Sequence, residues 1–472
     1  MKLSLNLLAL ITIGSATSIV KRDDSVTFVN LGLQKGEPKH YASGFIYGIP
    51  DEFNQIPSHF YENIGFNYGR AGGAQEGAPN RGWIWGYSDY QGRFQSTLTN
   101  YKTCRQFDAG FIMLPHDIWG TDQANSSTIW PGDNGDWSDY DKFVTTLMAD
   151  LLANNALDGL VWDIWNESDG QWFWARSMQQ WIDLYIRTHK LIRSNHHFDG
   201  VKISGPTLAA APYNTSVWWT SWLEQIKGNN TIPDQIAYHL EAGPGVGPWQ
   251  ESYDLTNTYP SVISLLQSYG IQERPQIINE YASYDEQIPS GAAFWISRLE
   301  RYNIYGLRGN WQSGTVLHDL MANLLTKNDP FNYTETDYMP GPEYLVYKYY
   351  YHNMTGVRLD TNGSANLQFD VYATANPKDK VRILAGGQTA TGNWTINVEN
   401  LSGVGLPKSG NVHIQTWAFN GDGHYVPTMG PTDLGVTPYT YSNNMLSIPI
   451  DQYTNYTAYA FEFQCGSFKI HR

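Results

Sequence analysis

The sequence predicts an α/β protein in which a (β/α)₈ TIM barrel is followed by a C-terminal β-sandwich domain. Between residues 42 and 325, strand-like runs alternate with stretches of helical periodicity in eight units, which is the order of a closed parallel barrel. From about residue 346, short alternating runs are separated by Gly, Asn and Pro turns, a texture typical of a β-sandwich. A chain of 472 residues is long enough to bury a large core and a smaller one.

The beginning of the chain predicts an exported protein. Lys2 is followed by an apolar stretch over residues 3–13 and by small residues at positions 16–18, which is the pattern of a secretory signal peptide. Lys21 and Arg22 then form a dibasic processing site, so we expect a secreted, extracellular protein. The predicted segments are a signal peptide (1–18), a propeptide (19–22), an N-terminal segment that adds to the β-sandwich (23–40), the barrel (41–345) and the β-sandwich domain (346–472).

Eight runs of β-branched, aromatic and small residues predict the barrel strands. The fourth strand is preceded by a helix with Phe143, Leu147 and Leu151 on one face, and it ends in the polar pair Asn166 and Glu167. The helix of the eighth unit is expected over residues 317–325. The predicted strands are residues 44–48, 66–69, 109–114, 161–165, 201–206, 235–238, 276–279 and 305–310.

Composition and charge exclude several classes of partner. With a formal net charge of −15, the chain has no basic stripe that could neutralise phosphates, so we expect neither nucleic acid nor an anionic membrane as a partner. Beyond the N-terminal stretch, no apolar run approaches the roughly 20 residues that span a bilayer. No Cys/His cluster, HExxH motif or calcium-loop pattern occurs, so we expect no catalytic metal and no cofactor.

Sequons and cysteines are both consistent with an oxidising, extracellular compartment. Cys104 and Cys465 are the only cysteines and could form a disulfide, although the sequence does not show that they meet. Asn166 also begins a sequon, and we expect it to lie in a cleft and remain unmodified. The other Asn-x-Ser/Thr sequons, which predict N-glycosylation, begin at Asn125, Asn214, Asn229, Asn332, Asn353, Asn362, Asn393, Asn400 and Asn455.

Two carboxylates at strand ends point to a chemistry. Glu167 closes the fourth predicted strand and Glu280 closes the seventh, so a closed barrel places them across its mouth from one another. Two carboxyl groups across a pocket are the minimum machinery for cleaving a glycosidic bond. One carboxyl, kept protonated by its surroundings, protonates the leaving oxygen, and the other attacks the anomeric carbon as a carboxylate. The amide of Asn166 can hold a sugar hydroxyl beside them, plausibly the 2-OH.

These residues resemble those of clan A of the retaining glycoside hydrolases. With its appended β-sandwich, the chain is most similar to family 39, which includes xylosidases, iduronidases and bacterial exopolysaccharide hydrolases. The resemblance implies that Glu167 is the general acid/base and Glu280 the nucleophile. It also implies substrate-binding roles for the residues at the other strand ends, which are Arg70, His116, His239 and Trp311.

Each of these four residues also has a structural interpretation. Arg70 could pair with a structural carboxylate, His239 could cap a loop, and Trp311 could plug the barrel top. Glu241 and Trp249 are further candidates for substrate binding, the latter on a glycine-rich loop over residues 243–248. That loop lacks the Lys-Ser/Thr pair of a phosphate-binding loop, so we interpret it as a cleft wall. Asp163 is expected to be structural.

The chain is also rich in aromatic residues, with 18 Trp and 32 Tyr. Flat rings stack on the apolar faces of sugars, and they also fill cores. We expect only a minority of those that follow barrel strands to contact a ligand. These candidates are Trp83, Trp85, Tyr87, Trp119, Trp172 and Trp174.

The sequence therefore predicts a secreted retaining glycoside hydrolase that cleaves β-linked or other equatorial bonds in plant or microbial polysaccharides or oligosaccharides by double displacement. The expected partner is a carbohydrate substrate, and the expected separation of the two carboxyl groups is about 5–5.5 Å. Two alternatives remain: a carbohydrate-binding barrel that has lost turnover, and a cell-wall transglycosylase. The sequence leaves open the sugar and its linkage, exo or endo action, and the oligomeric state.

Overall fold

The computed structural model describes residues 24–241, 251–421 and 423–470 of the chain. In these ranges eight parallel strands close into a barrel, each strand pairing with the next and the last with the first. The predicted fold class is confirmed, with the eight strands in chain order. One strand, β1 (Val26–Gln34), precedes the barrel. The barrel strands are β2 (Gly44–Ile46), β3 (Tyr68–Ala71), β4 (Gly110–Met113), β5 (Leu160–Asp163), β6 (Lys202–Leu208), β7 (Gln235–Leu240), β8 (Gln276–Tyr281) and β9 (Tyr305–Arg308).

Helices follow the barrel strands. They are α1 (Ser58–Glu62), α2 (Tyr87–Gln106), α3 (Pro115–Trp119), α4 (Ser138–Ala153), α5 (Met178–Arg193), α6 (Val217–Asn229), α7 (Leu255–Ser268), α8 (Pro289–Tyr302), α9 (Leu320–Asn323) and α10 (Pro342–Asn353). No helix in the described ranges is long and apolar enough to cross a membrane.

The prediction of a helix over residues 317–325 is wrong. That stretch contains the end of a 3₁₀ turn (Gly314–His318) and α9, whose four residues have positive φ angles of 49–70° and form a left-handed turn. Strand β10 (Leu325–Thr326) follows and pairs with β11 (Met339–Pro340). The helix that completes the eighth unit is α10, which spans position 345, where the sequence predicts the end of the barrel domain.

The barrel interior is divided into an aliphatic part and a polar part. One aliphatic residue from each of five strands forms a closed inner cluster, and Tyr68 and Tyr305 pack against it at the start of their strands. The cluster is Ile112, Val161, Ala237, Ile277 and Leu307. Toward the carboxyl ends of the strands, the buried positions are instead polar, as at Arg70, Asp163 and Asn279. A functional site in this fold lies at that end.

The C-terminal region forms a nine-stranded sheet that encloses a second core. Strand β1 joins it, pairing antiparallel with β12 and parallel with β15. Aliphatic and aromatic side chains from both halves of the sheet share one cluster, in which Phe369 stacks on Trp394 at 4.9 Å between ring centroids. The sheet order is β17-β16-β19-β14-β13-β12-β1-β15-β18, formed by β12 (Val357–Asn362), β13 (Phe369–Ala375), β14 (Lys380–Gly387), β15 (Gly392–Glu399), β16 (Gly410–Phe419), β17 (Thr432–Tyr441), β18 (Met445–Gln452) and β19 (Ala458–Gln464).

Cys104 and Cys465, which the sequence allows but does not require to pair, are both free in the structure. Cys104 lies on α2 and is buried against the barrel, where a Cβ atom at Gly69 would come within 2.5 Å of its sulfur. Cys465 follows the last strand of the β-sandwich, where its thiol lies 3.3 Å from the carbonyl oxygen of Asn376. The two cysteines therefore pack in separate hydrophobic cores.

Candidate active site

Five sequence-predicted residues come together at the carboxyl ends of the barrel strands. Arg70 lies in β3, Asn166 and Glu167 follow β5, His239 lies in β7, and Glu280 lies in β8. All are buried except the two glutamates, whose side chains keep 21% and 14% of their surface exposed. The two carboxyl groups are therefore the part of the cluster that a ligand can reach.

Arg70 is the centre of the cluster. Its Nη1 donates to Glu280, and its Nη2 donates to Asn166 Oδ1 at 2.6 Å and to Asp163 Oδ2 at 2.9 Å. Burial alone would lower the pKa of Arg70, but the charges of Asp163 and Glu280 raise it above its ordinary value. Arg70 is thus a fixed positive charge, and it orients the amide of Asn166 so that Nδ2 is the end left to donate to a ligand.

His239 links the two carboxyl groups. Its Nδ1 lies 2.7 Å from Glu167 Oε1, and its Nε2 lies 3.6 Å from Glu280 Oε1. Burial lowers the pKa of His239 to about 4, so the ring is neutral at neutral pH and carries one N–H. A single imidazole thus lies between the two carboxyl groups.

Glu167 has the environment of a proton donor. Burial raises its pKa, and the positive charge of Arg70 offsets only part of that effect. Its backbone has φ of 39°, in the left-handed region, and its N–H donates to the carbonyl oxygen of Thr207 at 2.8 Å. Such backbone strain costs on the order of 1–3 kcal/mol and is found where surrounding structure fixes a functional side chain.

Asp163, for which the sequence predicted a structural role, is part of this cluster. Its carboxylate accepts hydrogen bonds from Arg70, from Thr207 Oγ1 at 2.6 Å and from Asn279 Nδ2 at 2.9 Å. Sequence reasoning missed Thr207 and Asn279, although Asn279 directly precedes Glu280 in the same strand. The side chains of Asp163, Thr207 and Asn279 are buried, and together they hold Arg70 in place.

Glu241 lies beside the two catalytic candidates. Burial and the nearby charges of Glu280 and Glu167 raise its pKa well above the ordinary value, so its protonated form is favoured. A side chain at Gly309 would collide with its carboxyl group, so this glycine provides the space that Glu241 occupies. Ligand atoms of Glu167, His239 and Glu241 lie within 4.8 Å of one another, close enough to hold a metal ion. Because the guanidinium of Arg70 already supplies positive charge here, we assign the cluster to proton chemistry.

The remaining predicted residues have different surroundings. His116 is buried in α3, near the rings of Trp165 and Phe173, with its Nε2 3.0 Å from Asp117 Oδ1. Trp311 follows β9 and is 40% exposed, and its indole N–H donates to the carbonyl oxygen of Ala282 at 3.1 Å. An exposed ring held by its polar edge is suited to stacking on a sugar. Trp249 and its loop lie outside the described residues.

The other aromatic candidates divide between core and surface. Trp83, Trp119 and Trp174 are buried, the last two within a cluster of indole rings that includes Trp165. The exposed candidates are Trp85, Tyr87 and Trp172, whose exposed fractions are 42%, 54% and 87%. Burial thus removes half of the predicted aromatic set from direct contact with a ligand.

Comparisons with known proteins identify the fold. No family model matches the sequence, and no curated protein matches it. The structure of N2152 from Neocallimastix frontalis is similar, with 21% identity, a TM-score of 0.71, and coverage of 94% of this chain and 100% of that one. A GH39 β-xylosidase from Caulobacter crescentus has 14% identity and a TM-score of 0.54, covering 93% of this chain and 99% of its own.

A third solved structure is a GH44 xyloglucanase from Paenibacillus polymyxa, determined with xyloglucan. It has 10% identity and a TM-score of 0.53, covering 94% of this chain and 100% of its own. At these identities the likeness concerns the fold. The chain has the architecture of the GH39-like proteins of clan A, a (β/α)₈ barrel with an appended β-sandwich.

Proposed function

We propose that this protein is a secreted retaining glycoside hydrolase that cleaves β-linked, equatorial glycosidic bonds of polysaccharides or oligosaccharides. The observation that carries the proposal is the pair Glu167 and Glu280, which contact one imidazole but have different surroundings. Burial favours the protonated form of Glu167, whereas Glu280 forms an ion pair with Arg70. An acid and an anion facing the same pocket are the two groups that double displacement requires.

In the first step, the carboxylate of Glu280 attacks the anomeric carbon. The bond between that carbon and the leaving oxygen breaks, and Glu167 gives its proton to that oxygen. In the second step, Glu167, now a carboxylate, takes a proton from water, and the water oxygen displaces Glu280 from the anomeric carbon. Glu167 is then protonated again and Glu280 is again a carboxylate.

The surrounding residues support these two steps. Arg70 holds Glu280 in place, and it also fixes Asn166 by its Oδ1, so that Nδ2 can donate to a sugar hydroxyl next to the anomeric centre. His239 is a neutral bridge: when Glu167 carries the proton it donates to Nδ1, which leaves the ring N–H on Nε2, toward Glu280. Trp311 offers a ring at the mouth for stacking.

The class of substrate is supported by the similar structures. They include a β-xylosidase and a xyloglucanase, the latter determined with xyloglucan. A secreted protein with several sequons would meet such polymers outside the cell. Polysaccharides of the plant cell wall are therefore the first substrates to test.

The proposal is tested by trapping the nucleophile. A 2-fluoro glycoside with a good leaving group should inactivate the protein and add one sugar to the peptide that carries Glu280, as measured by mass spectrometry. Incubation with a panel of plant and microbial polysaccharides should release new reducing ends, with Glu167→Ala as the blank. A label on a different carboxylate would refute the mechanism. Glycan binding without any product would favour the carbohydrate-binding barrel, and elongated products would favour the transglycosylase.

A further inference from the structure

A second cluster of ligand-type side chains lies at the rim of the barrel mouth. Asp51 follows β2, Glu76 follows β3 and His318 follows β9, so the cluster joins the loops of three neighbouring strands. One atom of each side chain lies within 4.8 Å of the corresponding atoms of the other two. None of these residues belongs to the candidate active site.

His318 is held in the tautomer that a metal ligand needs. Its Nε2 donates to the carbonyl oxygen of Ala74 at 2.7 Å, so the proton of the neutral ring is on Nε2 and the lone pair is on Nδ1. The residue is 3% exposed, and Nδ1 has no hydrogen-bond partner among the described residues, although it lies 3.8 Å from Asp51 Oδ1. A hydrogen bond from the other ring nitrogen to a carbonyl oxygen is typical of metal-binding histidines.

The cluster contains converging acceptors with too few donors. Glu76 Oε1 is buried and has no hydrogen-bond partner among the described residues, while Asp51 accepts one from Ser96 Oγ at 2.5 Å. The nearby Arg93 is directed elsewhere, to Asp122 and to the carbonyl oxygens of Asn80 and Asp117. The buried Oε1 of Glu76 and Nδ1 of His318 are thus both left without a donor or acceptor among the described residues.

We propose that Asp51, Glu76 and His318 bind one divalent transition-metal ion, for which Zn²⁺ fits best. An imidazole nitrogen with two carboxylates is a zinc ligand set, whereas Ca²⁺ and Mg²⁺ take oxygen ligands. A cavity of about 270 Å³ opens beside the cluster and has room for the water that would complete four-coordination. Asp51 has 36% of its side chain accessible and can adjust to the ion.

The bound ion would pin the loops that shape one side of the mouth. The loop after β9 carries both Trp311 and His318, and it is already tied to the loop after β3 by the Gly314 N–H, which donates to Gln75 Oε1 at 2.8 Å. A metal ion bridging Glu76 and His318 would add a stronger link between the same two loops. The site is independent of the proposed hydrolysis, because no ligand belongs to the acid, the nucleophile or their contacts.

The test is isothermal titration calorimetry of the metal-stripped, secreted protein with ZnCl₂. The titration uses the Glu167→Gln background, so that the cluster of Glu167, His239 and Glu241 does not contribute a second site. One Zn²⁺ per chain is expected, at least tenfold weaker in Glu76→Gln and in His318→Gln. Glu52→Gln is the matched control, since it removes a charge from an exposed neighbour of Asp51 and should leave the affinity unchanged.

X-ray absorption of the zinc-loaded Glu167→Gln protein gives a readout that does not depend on the folding of the ligand variants. A first shell of nitrogen and oxygen with one imidazole is expected, and loading should also raise the Tm. Absence of binding at millimolar Zn²⁺ would overturn the proposal. So would equal affinity in Glu76→Gln, or Ca²⁺ binding as tightly as Zn²⁺ without any effect of His318→Gln.

Discussion

In the proposed mechanism, Glu167 and Glu280 have two different roles because their contacts differ. Glu280 forms an ion pair with the guanidinium of Arg70. Glu167 is hydrogen-bonded to the neutral imidazole of His239 in a position that is shielded from water. Burial raises the pKa of Glu167, which keeps it protonated over a wider range of pH than an exposed glutamate. The difference between the two groups follows from Arg70 and His239, which lie far from both glutamates in the sequence.

The protonated form of Glu167 predicts how activity depends on pH. Its pKa is raised, so the acid is present below that raised pKa and is lost as the pH rises through it. We therefore expect kcat/KM on a natural polysaccharide to fall on the alkaline side. Glu167→Gln should lower kcat/KM on this substrate by about 10²–10⁴-fold.

An aryl glycoside with a good leaving group separates the acid from the nucleophile. Its leaving oxygen needs no proton, so Glu167→Gln should still form the glycosyl-enzyme with this substrate. The loss of rate at alkaline pH, which is the alkaline limb of the pH profile, should then be absent from that step. The measurement is a pre-steady-state burst across pH. An alkaline limb that persists in Glu167→Gln would assign it to another group.

The strand ends were predictable from the sequence, and their supports were not. An abrupt change from apolar to polar residues after β5 marks Asn166 and Glu167. The barrel topology then places them at the same end of the barrel as Glu280 of β8. Thr207 carries no such signal, since it contributes through a backbone with φ of 58° and a hydroxyl on Asp163. Contacts of this kind depend on side-chain directions that spacing alone does not specify.

At the level of elements, α8 joins the barrel to the β-sandwich. The guanidinium of Arg298 is buried between Asp254, which caps the N-terminus of α7, and Asp370 of β13. Burial alone would raise the pKa of Asp370, but the charges of Arg298 and Arg301 hold it below its ordinary value. Two carboxylates from different parts of the chain therefore share the cation of Arg298, and Arg301 is a second partner of Asp370.

Replacing Arg298 should destabilise the whole protein. Arg298→Leu leaves Asp254 and Asp370 without their shared partner in a buried position, and we expect a loss of about 3–5 kcal/mol in the free energy of unfolding. Urea denaturation followed by tryptophan fluorescence measures the change. Arg187→Leu is the control, because its ion pair with Asp141 is only partly buried and should contribute no more than about 1 kcal/mol. Equal losses in the two variants would contradict the buried bridge.

The elements that sequence reasoning mispredicted lack a local signature. The apolar stretch over residues 317–325 has helical spacing, but residues 320–323 within it form a left-handed turn that is buried against the barrel top. The backbone of that turn is bonded to Gly48, a residue distant in the sequence, through the Met321 N–H at 2.9 Å. Tertiary contacts of this kind override propensity, so the pattern alone could not reveal the turn.

At the level of the whole molecule, the sequons divide into exposed sites and one buried site. Asn166 is 4% exposed and its Oδ1 is occupied by Arg70, whereas most of the other sequon asparagines are exposed. A glycan on Asn166 would occupy the barrel mouth and displace Arg70 from its contacts. Chains that carry one there could not complete the site, so secreted, folded molecules should have none.

A glycopeptide map of the protein, expressed in a host that glycosylates sequons, tests this division of the surface. Enzymatic glycan release in heavy-oxygen water should convert Asn125, Asn214 and Asn393 to labelled aspartate, because these side chains are exposed. Asn166 should remain unlabelled in every active fraction. Ser168→Ala, which abolishes its sequon, should leave the glycan mass unchanged. A glycan on Asn166 in active protein would show that its amide does not hold the substrate, because the attached sugar would fill the space next to Nδ2 that a substrate hydroxyl needs.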